Sequence, residues 1–340
     1  MKIVIDVMGG DNAPMEPIRG ALDAAGEEGL ELILTGRGEA ILGCLAELGI
    51  ATLPKNVEVA NAPEVVTMED DPSTVLREKE QSSMAVALQM LQSGAADAMV
   101  SAGNTGALLT GATLTVKRLP GVRRAALATM LPASHGGVLL VDSGANVECT
   151  PEMLVQFGKM GAAYLRRLQR KEPSVGLLNV GVEPQKGTGL HKEAYGRFCA
   201  ARDAGKMNFV GNVEAREAIL GGCDVLAADG FSGNVLLKGL EGLGILMLGQ
   251  LRELLETRGR TKIAAKLATD ELRFLEQRFD AAEIGGAVLL GVQKPVVKAH
   301  GASDARAIKN AILQAVRLVK SGITAEIARD LASDGAEMQR

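Results

Sequence analysis

Seven short runs of Gly, Asn, Asp, Ser, Thr and His follow apolar stretches along this 340-residue chain. The first is Met8-Gly9-Gly10-Asp11, after Lys2-Ile3-Val4-Ile5-Asp6-Val7. Consecutive glycines let backbone N–H groups turn outward, and Asp11, Asn12 and Pro14 suit the entry to a helix whose dipole adds partial positive charge there. That combination binds anions, phosphate above all. The design recurs at Ser101–Gly106, Asp142–Asn146, Asn179–Gly181, Gly211–Glu214, Ala228–Asn234 and Lys298–Gly301. Each alone is ordinary turn chemistry. Seven of them, expected to open on one edge of a sheet, predict a binding cleft.

The elements that must position these loops alternate. Strand patterns fall at 2–7, 30–35, 56–60, 97–101, 126–130, 138–142, 174–180, 208–211 and 223–228. Helical patterns lie near 14–25, 37–48, 82–93, 105–117, 151–169, 189–204 and 213–220. Val/Ile/Leu-rich strands separated by helices predict an α/β fold, one largely parallel sheet covered on both faces, in a single domain spanning 1–340. Asn61 to Ser83 reads as a long surface loop. Residues 231–283 read as a helical excursion from the sheet, and a last helix runs from Ser303 to about Lys320.

Composition narrows the chemistry. Aromatics number six Phe, two Tyr and no Trp, and the net charge is −4, which disfavours nucleic acid as a partner. Cys44, Cys149, Cys199 and Cys223 lie far apart and read as buried thiols in a reduced cytoplasm. No stretch of 18 uncharged apolar residues predicts a bilayer span, and Lys238 and Glu241 interrupt the nearest, Val235 to Leu251. The chain has no G-x-G-x-x-G after its first strand, no P-loop, no G-x-S-x-G elbow and no metal-ligand spacing among His135, His191 and His300. No cofactor or metal is expected. Positioned amides, a few cations and the substrate's own nucleophile must do the work.

Taken in order, Asp6-Val-Met-Gly-Gly-Asp11, Ser101-Ala-Gly-Asn-Thr-Gly106, Asp142-Ser-Gly-Ala-Asn146, Lys186-Gly187, Gly211-Asn-Val-Glu214, Asp229-Gly-Phe-Ser-Gly-Asn-Val235 and Lys298-Ala-His-Gly301 resemble the bacterial phosphate acyltransferases. The likeness runs from residue 2 to about 320. It implies a three-layer α/β/α sandwich similar to isocitrate/isopropylmalate dehydrogenases and phosphotransacetylases. It implies acyl transfer from acyl-carrier protein to inorganic phosphate, giving acyl phosphate. It also implies a homodimer at the cytoplasmic face of the membrane, feeding phospholipid synthesis and the downstream glycerol-phosphate acyltransferase. Two positions depart from the family pattern. Asn12 replaces a usual His, which argues against acid–base work there, and Ile284 replaces a Tyr before Gly285-Gly286.

On that reading Lys186, in a loop between strand and helix, is the first choice for the cation; a solvated surface lysine is the alternative. Asn234 orients phosphate or the thioester carbonyl, caps a helix, or does both. Lys298 and His300, together at a late strand end, bind phosphate or protonate the departing thiolate; an interior imidazole is the alternative for His300. Gly9, Gly10, Asp11, Asn104, Thr105, Asn146, Asn212 and Ser232 complete the expected phosphate and substrate contacts. Asp6, Asp142 and Asp229 brace loops, since carboxylates facing phosphate would repel it. Cys149 raises a two-step route through an acyl-cysteine, but direct attack by phosphate is simpler. Arg258, Arg260, Lys262 and Lys266, interleaved with apolar residues, suit an anionic membrane or the acidic carrier, or else the solvated side of a dimer helix. Two other classes compete: a β-decarboxylating NAD-dependent dehydrogenase on a related fold, and a non-catalytic regulator that binds the acyl carrier.

Overall fold

The computed structural model describes residues 1–134, 136–168, 170–257, 267 and 285–335. Its eleven described strands are β1 (Lys2–Asp6), β2 (Glu31–Gly36), β3 (Val57–Asn61), β4 (Ala98–Ser101), β5 (Ala126–Leu131), β6 (Val138–Val141), β7 (Ser174–Leu178), β8 (Asn208–Val213), β9 (Val225–Ala227), β10 (Ala287–Leu290) and β11 (Val296–Lys298). They form one sheet in the order β3-β2-β1-β4-β11-β10-β5-β6-β9-β7-β8. The sheet is α/β and mostly parallel, as the apolar strands predict. In β1, Ile3 and Ile5 enter one core and Val4 the other, so both faces are buried.

The helices divide between those faces. On one side lie α1 (Met15–Ala24), α2 (Gly38–Glu47), α6 (Pro151–Arg167), α7 (Gly189–Asp203) and α10 (Ala305–Ser321). Along α10, Ala305, Ile308, Ile312, Ala315 and Leu318 make a buried stripe. Asp304 caps its first turn by accepting from the Ala307 amide at 2.8 Å, and left-handed Gly322 ends it. The opposite face carries two separate groups. α4 (Ser83–Ser93) and α5 (Thr105–Gly111) cover one half of the sheet, and α8 (Ala215–Ile219) and α9 (Gly230–Thr257) the other. Between them a gap opens over the central strands, where Thr129 and Ala287 are only partly buried.

The expectation of one loop-bearing edge is corrected. Strand β10 is antiparallel to both neighbours, and β5 is antiparallel to β6, so β6, β9, β7 and β8 run against β1, β2, β3, β4 and β11. Three of the seven loops therefore open on one edge and four on the other. The pairings Ala287↔Lys298 and Val288↔Ala128 set Lys298 level with Thr129, and the Leu127 amide donates to Asp142 Oδ1 at 2.9 Å. Two residues, roughly 7 Å along a strand, separate the levels of the two loop sets at the centre. Short central strands let opposite edges serve one cleft.

Other differences are local. Strand β10 was not expected, and β11 was expected only as the strand end that carries Lys298, because four-residue and three-residue runs carry almost no periodicity. The 105–117 helix changes at Gly111 from α5 to a π-helical turn, Ala112–Lys117. Within 61–83, α3 (Thr74–Arg77) and a bridge between Glu64 and Ser82 add order. The excursion is helical as α9 up to Thr257; its continuation, with Arg258, Arg260, Lys262, Lys266 and Ile284, lies outside the described residues. By length and mean hydropathy, Gly230–Leu255 reaches the range of a membrane-crossing helix, at 1.3 over its best window. Lys238 and Glu241 on that helix face the cleft instead.

Candidate active site

The gap between the α4–α5 layer and α9 is a cleft of about 530 Å³. Leu127, Thr129 and Leu131 of β5 form its floor, and Ser143 and Gly144 close one end. Lys298, His300 and Gly301 form the other end, with Met68 and Thr105 at its rim. The roof is one face of α9: Asn234, Leu237, Lys238, Leu240 and Glu241, at helical spacing. Polar groups thus sit at both ends of an apolar trough.

Glycines seat the roof. A Cβ at Gly233 would lie 1.9 Å from the Asp142 carbonyl oxygen, and one at Gly230 would lie 2.5 Å from that of Asn146. Helix α9 can lie on the β6 loop only because both side chains are missing. Beneath it, the Asp142 carboxylate is buried and accepts from the amides of Leu127, Gly144, Ala145 and Asn146 and from the Asn146 side chain. Burial still pushes its pKa above the usual carboxylate range, against those donors. Asn234 donates from Nδ2 to the Ser143 carbonyl at 3.1 Å and is otherwise exposed. Asn234 lines the cleft at this end, and that bond leaves its Oδ1 and second amide hydrogen for a ligand.

At the opposite end three loops close backbone to backbone. The Asp11 amide donates to the Gly301 carbonyl at 2.8 Å. A Cβ on Gly9 would lie 2.6 Å from the Gly103 nitrogen, and one on Gly10 2.9 Å from the Gly301 oxygen. Lys298 ends β11 within this packing at 8 % exposure. Its ammonium donates to the carbonyls of Ala102, at 3.2 Å, and Ala299. Desolvation above all, with the charge of nearby Lys238, lowers its pKa to about 8 against the upward pull of Asp6 and Asp11. Asp6 is itself buried, which raises its pKa, and it accepts from the Ser101 hydroxyl at 2.7 Å. Lys298 is a partly desolvated cation, mostly charged at neutral pH, set beside a cavity. Such a group suits a small anion.

His300 is exposed beside it. The Ala302 amide donates to its Nδ1 at 3.2 Å, and Lys238 Nζ lies 3.2 Å from its Nε2. Burial and the charge of Lys238 hold its pKa below the usual imidazole range, so the ring is neutral at pH 7. Lys238 also pairs with Glu241 at 2.7 Å. With half of the lysine side chain exposed, that pair is worth only ~0.2–1 kcal/mol.

Of the residues singled out in the sequence, Thr105, Asn234, Lys298 and His300 line this cleft. The others do different work. Gly9 and Gly10 allow loops to touch, and the Asp11 amide is already used. Asn104 caps α5 through the Ala107 amide, while its Nδ2 clasps the carbonyls of Thr67, Met68 and Asp70. Asn146 donates to Ala125 O and Asp142, and Asn12 to the carbonyls of Ala302 and Ser303. Asn212 donates to Glu183 O, its Oδ1 buried and unpaired. Ser232 sits in the first turn of α9, its amide bonded to Asp229. Lys186 is exposed in the β7–α7 loop and does not line the cleft. That loop opens on the same edge as the Asn234 end, two strands away from β6. Lys238 and Glu241 were read only as charges interrupting an apolar stretch, although their i+4 and i+7 spacing from Asn234 puts all three on one helical face.

Comparison with known proteins agrees with this architecture. Solved structures similar in fold include a phosphotransacetylase from Streptococcus pyogenes, with TM-score 0.61 at 19% identity covering 94% of both chains. The EutD phosphotransacetylase from Staphylococcus aureus gives 0.58 at 17% identity, covering 96% of this chain and 94% of that one. In sequence, the chain is 44% identical over 337 residues to a phosphate acyltransferase from Alkaliphilus oremlandii, covering 98% of each. It is 40% identical over 340 residues to another from Thermoanaerobacter pseudethanolicus, covering 99% of each. The family described as fatty acid synthesis protein matches residues 1–326, and with these relatives it establishes that the chain is an enzyme of the phosphate acyltransferase family.

Proposed function

We propose that the enzyme moves a fatty acyl group from the thioester of acyl-carrier protein to inorganic phosphate, releasing acyl phosphate for phospholipid synthesis. The observation that carries this reading is a single trough with a desolvated lysine at one end and apolar walls along its length. Phosphate at the Lys298 end is held by charge and needs positioning rather than deprotonation. One of its oxygens attacks the thioester carbon; the C–O bond forms as the C–S bond breaks. The proton of hydrogen phosphate ends on the carrier thiol, so the step balances without another reactant. Asn234 orients the thioester carbonyl, and its second amide hydrogen steadies the developing oxyanion. Leu127, Leu131, Leu237 and Leu240 take the start of the acyl chain.

Lys186, exposed on a loop that opens on the same edge as the Asn234 end, serves the thioester. Lys186→Ala and Asn234→Ala should therefore each lower kcat more than tenfold while leaving the KM for phosphate within about threefold. Initial rates of acyl hydroxamate formation, with phosphate and acyl-carrier protein varied in turn, check this. A rise in phosphate KM with unchanged kcat would move both residues to the other substrate.

An acyl-cysteine route has poor chemistry to draw on. Burial, aided by Asp142 and Asp229, pushes the Cys149 thiol up to about 12, and burial likewise pushes Cys223 up to about 12. The thiolate population at neutral pH is negligible. Cys149→Ala should keep more than half of wild-type activity, measured in the same assay; a loss beyond a hundredfold would reinstate the two-step route. The outward face of α9, with Leu243, Ile245, Leu246 and Met247 exposed, suits a second copy of the chain or the membrane surface at the cytoplasmic side.

A further inference from the structure

The geometry at the roof of the cleft points to a second phosphate-holding element, Lys238 with the Nε2–H of His300, and we infer that the pair grips inorganic phosphate together with Lys298 at the same end of the cleft. The inference rests on the reading of phosphate as substrate and adds the residues that grip it. The Ala302 amide donates to His300 Nδ1, so the neutral ring carries its proton on Nε2. That N–H faces the Lys238 ammonium across 3.2 Å. Two donors cannot satisfy one another; an acceptor that takes both N–H groups as they draw apart would satisfy them, and a phosphoryl oxygen is such an acceptor.

Charge leads to the same assignment. Lys238, Lys298 and His300 converge on one cavity, and the carboxylates near them are Glu241, Asp11 and Asp6. Glu241 holds Lys238 in a half-exposed pair that costs little to break. Lys238 therefore passes from Glu241 to the arriving anion, and returns when acyl phosphate leaves. Because α9 carries Asn234 one turn earlier, the same helix touches both reactants and fixes their separation.

The test uses the full-length enzyme and inorganic phosphate. In calorimetric titrations K238M should bind phosphate 10- to 100-fold more weakly than wild type, and K238R should stay within about fivefold of wild type. In turnover, K238M should raise the KM for phosphate by the same factor with the thioester KM unmoved. Unchanged phosphate affinity in K238M, or equal losses in K238M and K238R, would overturn the assignment. The calorimetry reads Lys238 even if the wild type forms no acyl hydroxamate, an outcome that would instead remove the acyl-transfer reading.

Discussion

Lys298→Met is expected to cut kcat/KM for phosphate by 10³-fold or more, the largest loss of any single substitution in the cleft. The lysine is desolvated and already holds two carbonyls, so its remaining donor and its charge are preorganised for an anion, where electrostatic stabilisation is worth most. The pH dependence separates this from a packing role. Burial lowers the pKa to about 8, so the charged, active form dominates below that value and disappears above it. In wild type, kcat/KM for phosphate should fall about tenfold per pH unit above 8. Stability should move the other way. Between about pH 8 and 10 the folded lysine is neutral while the unfolded one remains protonated, so the unfolded state binds the extra proton and rising pH favours folding. Urea midpoints of wild type relative to Lys298→Met should therefore climb across that window. A flat rate profile there, or a relative stability that falls, would mean that Lys298 is not the titrating cation.

Gly233→Ala is expected to be nearly as damaging for a different reason. The added methyl would sit 1.9 Å from the Asp142 carbonyl, a contact with backbone on a loop whose carboxylate is tied by five donors. Neither side can yield cheaply, so α9 must lift from the β6 loop, carrying Asn234, Lys238 and Glu241 away from the floor. Overpacking of this kind costs ~1–3 kcal/mol of stability. Activity should fall at least 10²-fold, since displacements near 1 Å already cost that much in positioned chemistry. Gly239→Ala on the same helix, where a methyl meets nothing within 4 Å, should leave both stability and rate near wild type. Thermal melts and hydroxamate rates on the two variants decide it. Equal behaviour of the pair would show that seating of α9 does not govern the site.

How much of this was legible in the sequence follows from what each signal reports. Runs such as Lys2–Val7 and Val138–Asp142 are apolar on both faces, and that alone fixes a buried, mostly parallel sheet. Strand direction leaves no mark on composition. Hence the expectation that all seven loops share one edge failed where β10 and β5 turn antiparallel. The site residues divide along the same line. Lys298 and His300 were visible because they end a strand beside a glycine. Asn104 and Asn146 have the same types and settings, yet their amides are spent on caps and clasps, a matter of tertiary partners that spacing cannot reveal. Lys238 and Glu241 were readable in principle from Asn234 by helical period, but a charged pair on a long apolar helix looks like an ordinary solvated face.

The most direct test of the central claim is phosphate-dependent release of free carrier thiol from acyl-carrier protein, followed alongside the mass of the enzyme. Direct transfer to phosphate predicts no thiol and no acylated protein without phosphate, prompt thiol with one equivalent of acyl phosphate when phosphate is added, and neither product with Lys298→Met. Thiol released in the absence of phosphate with an acyl group left on the protein, or full activity in Lys298→Met, would contradict it.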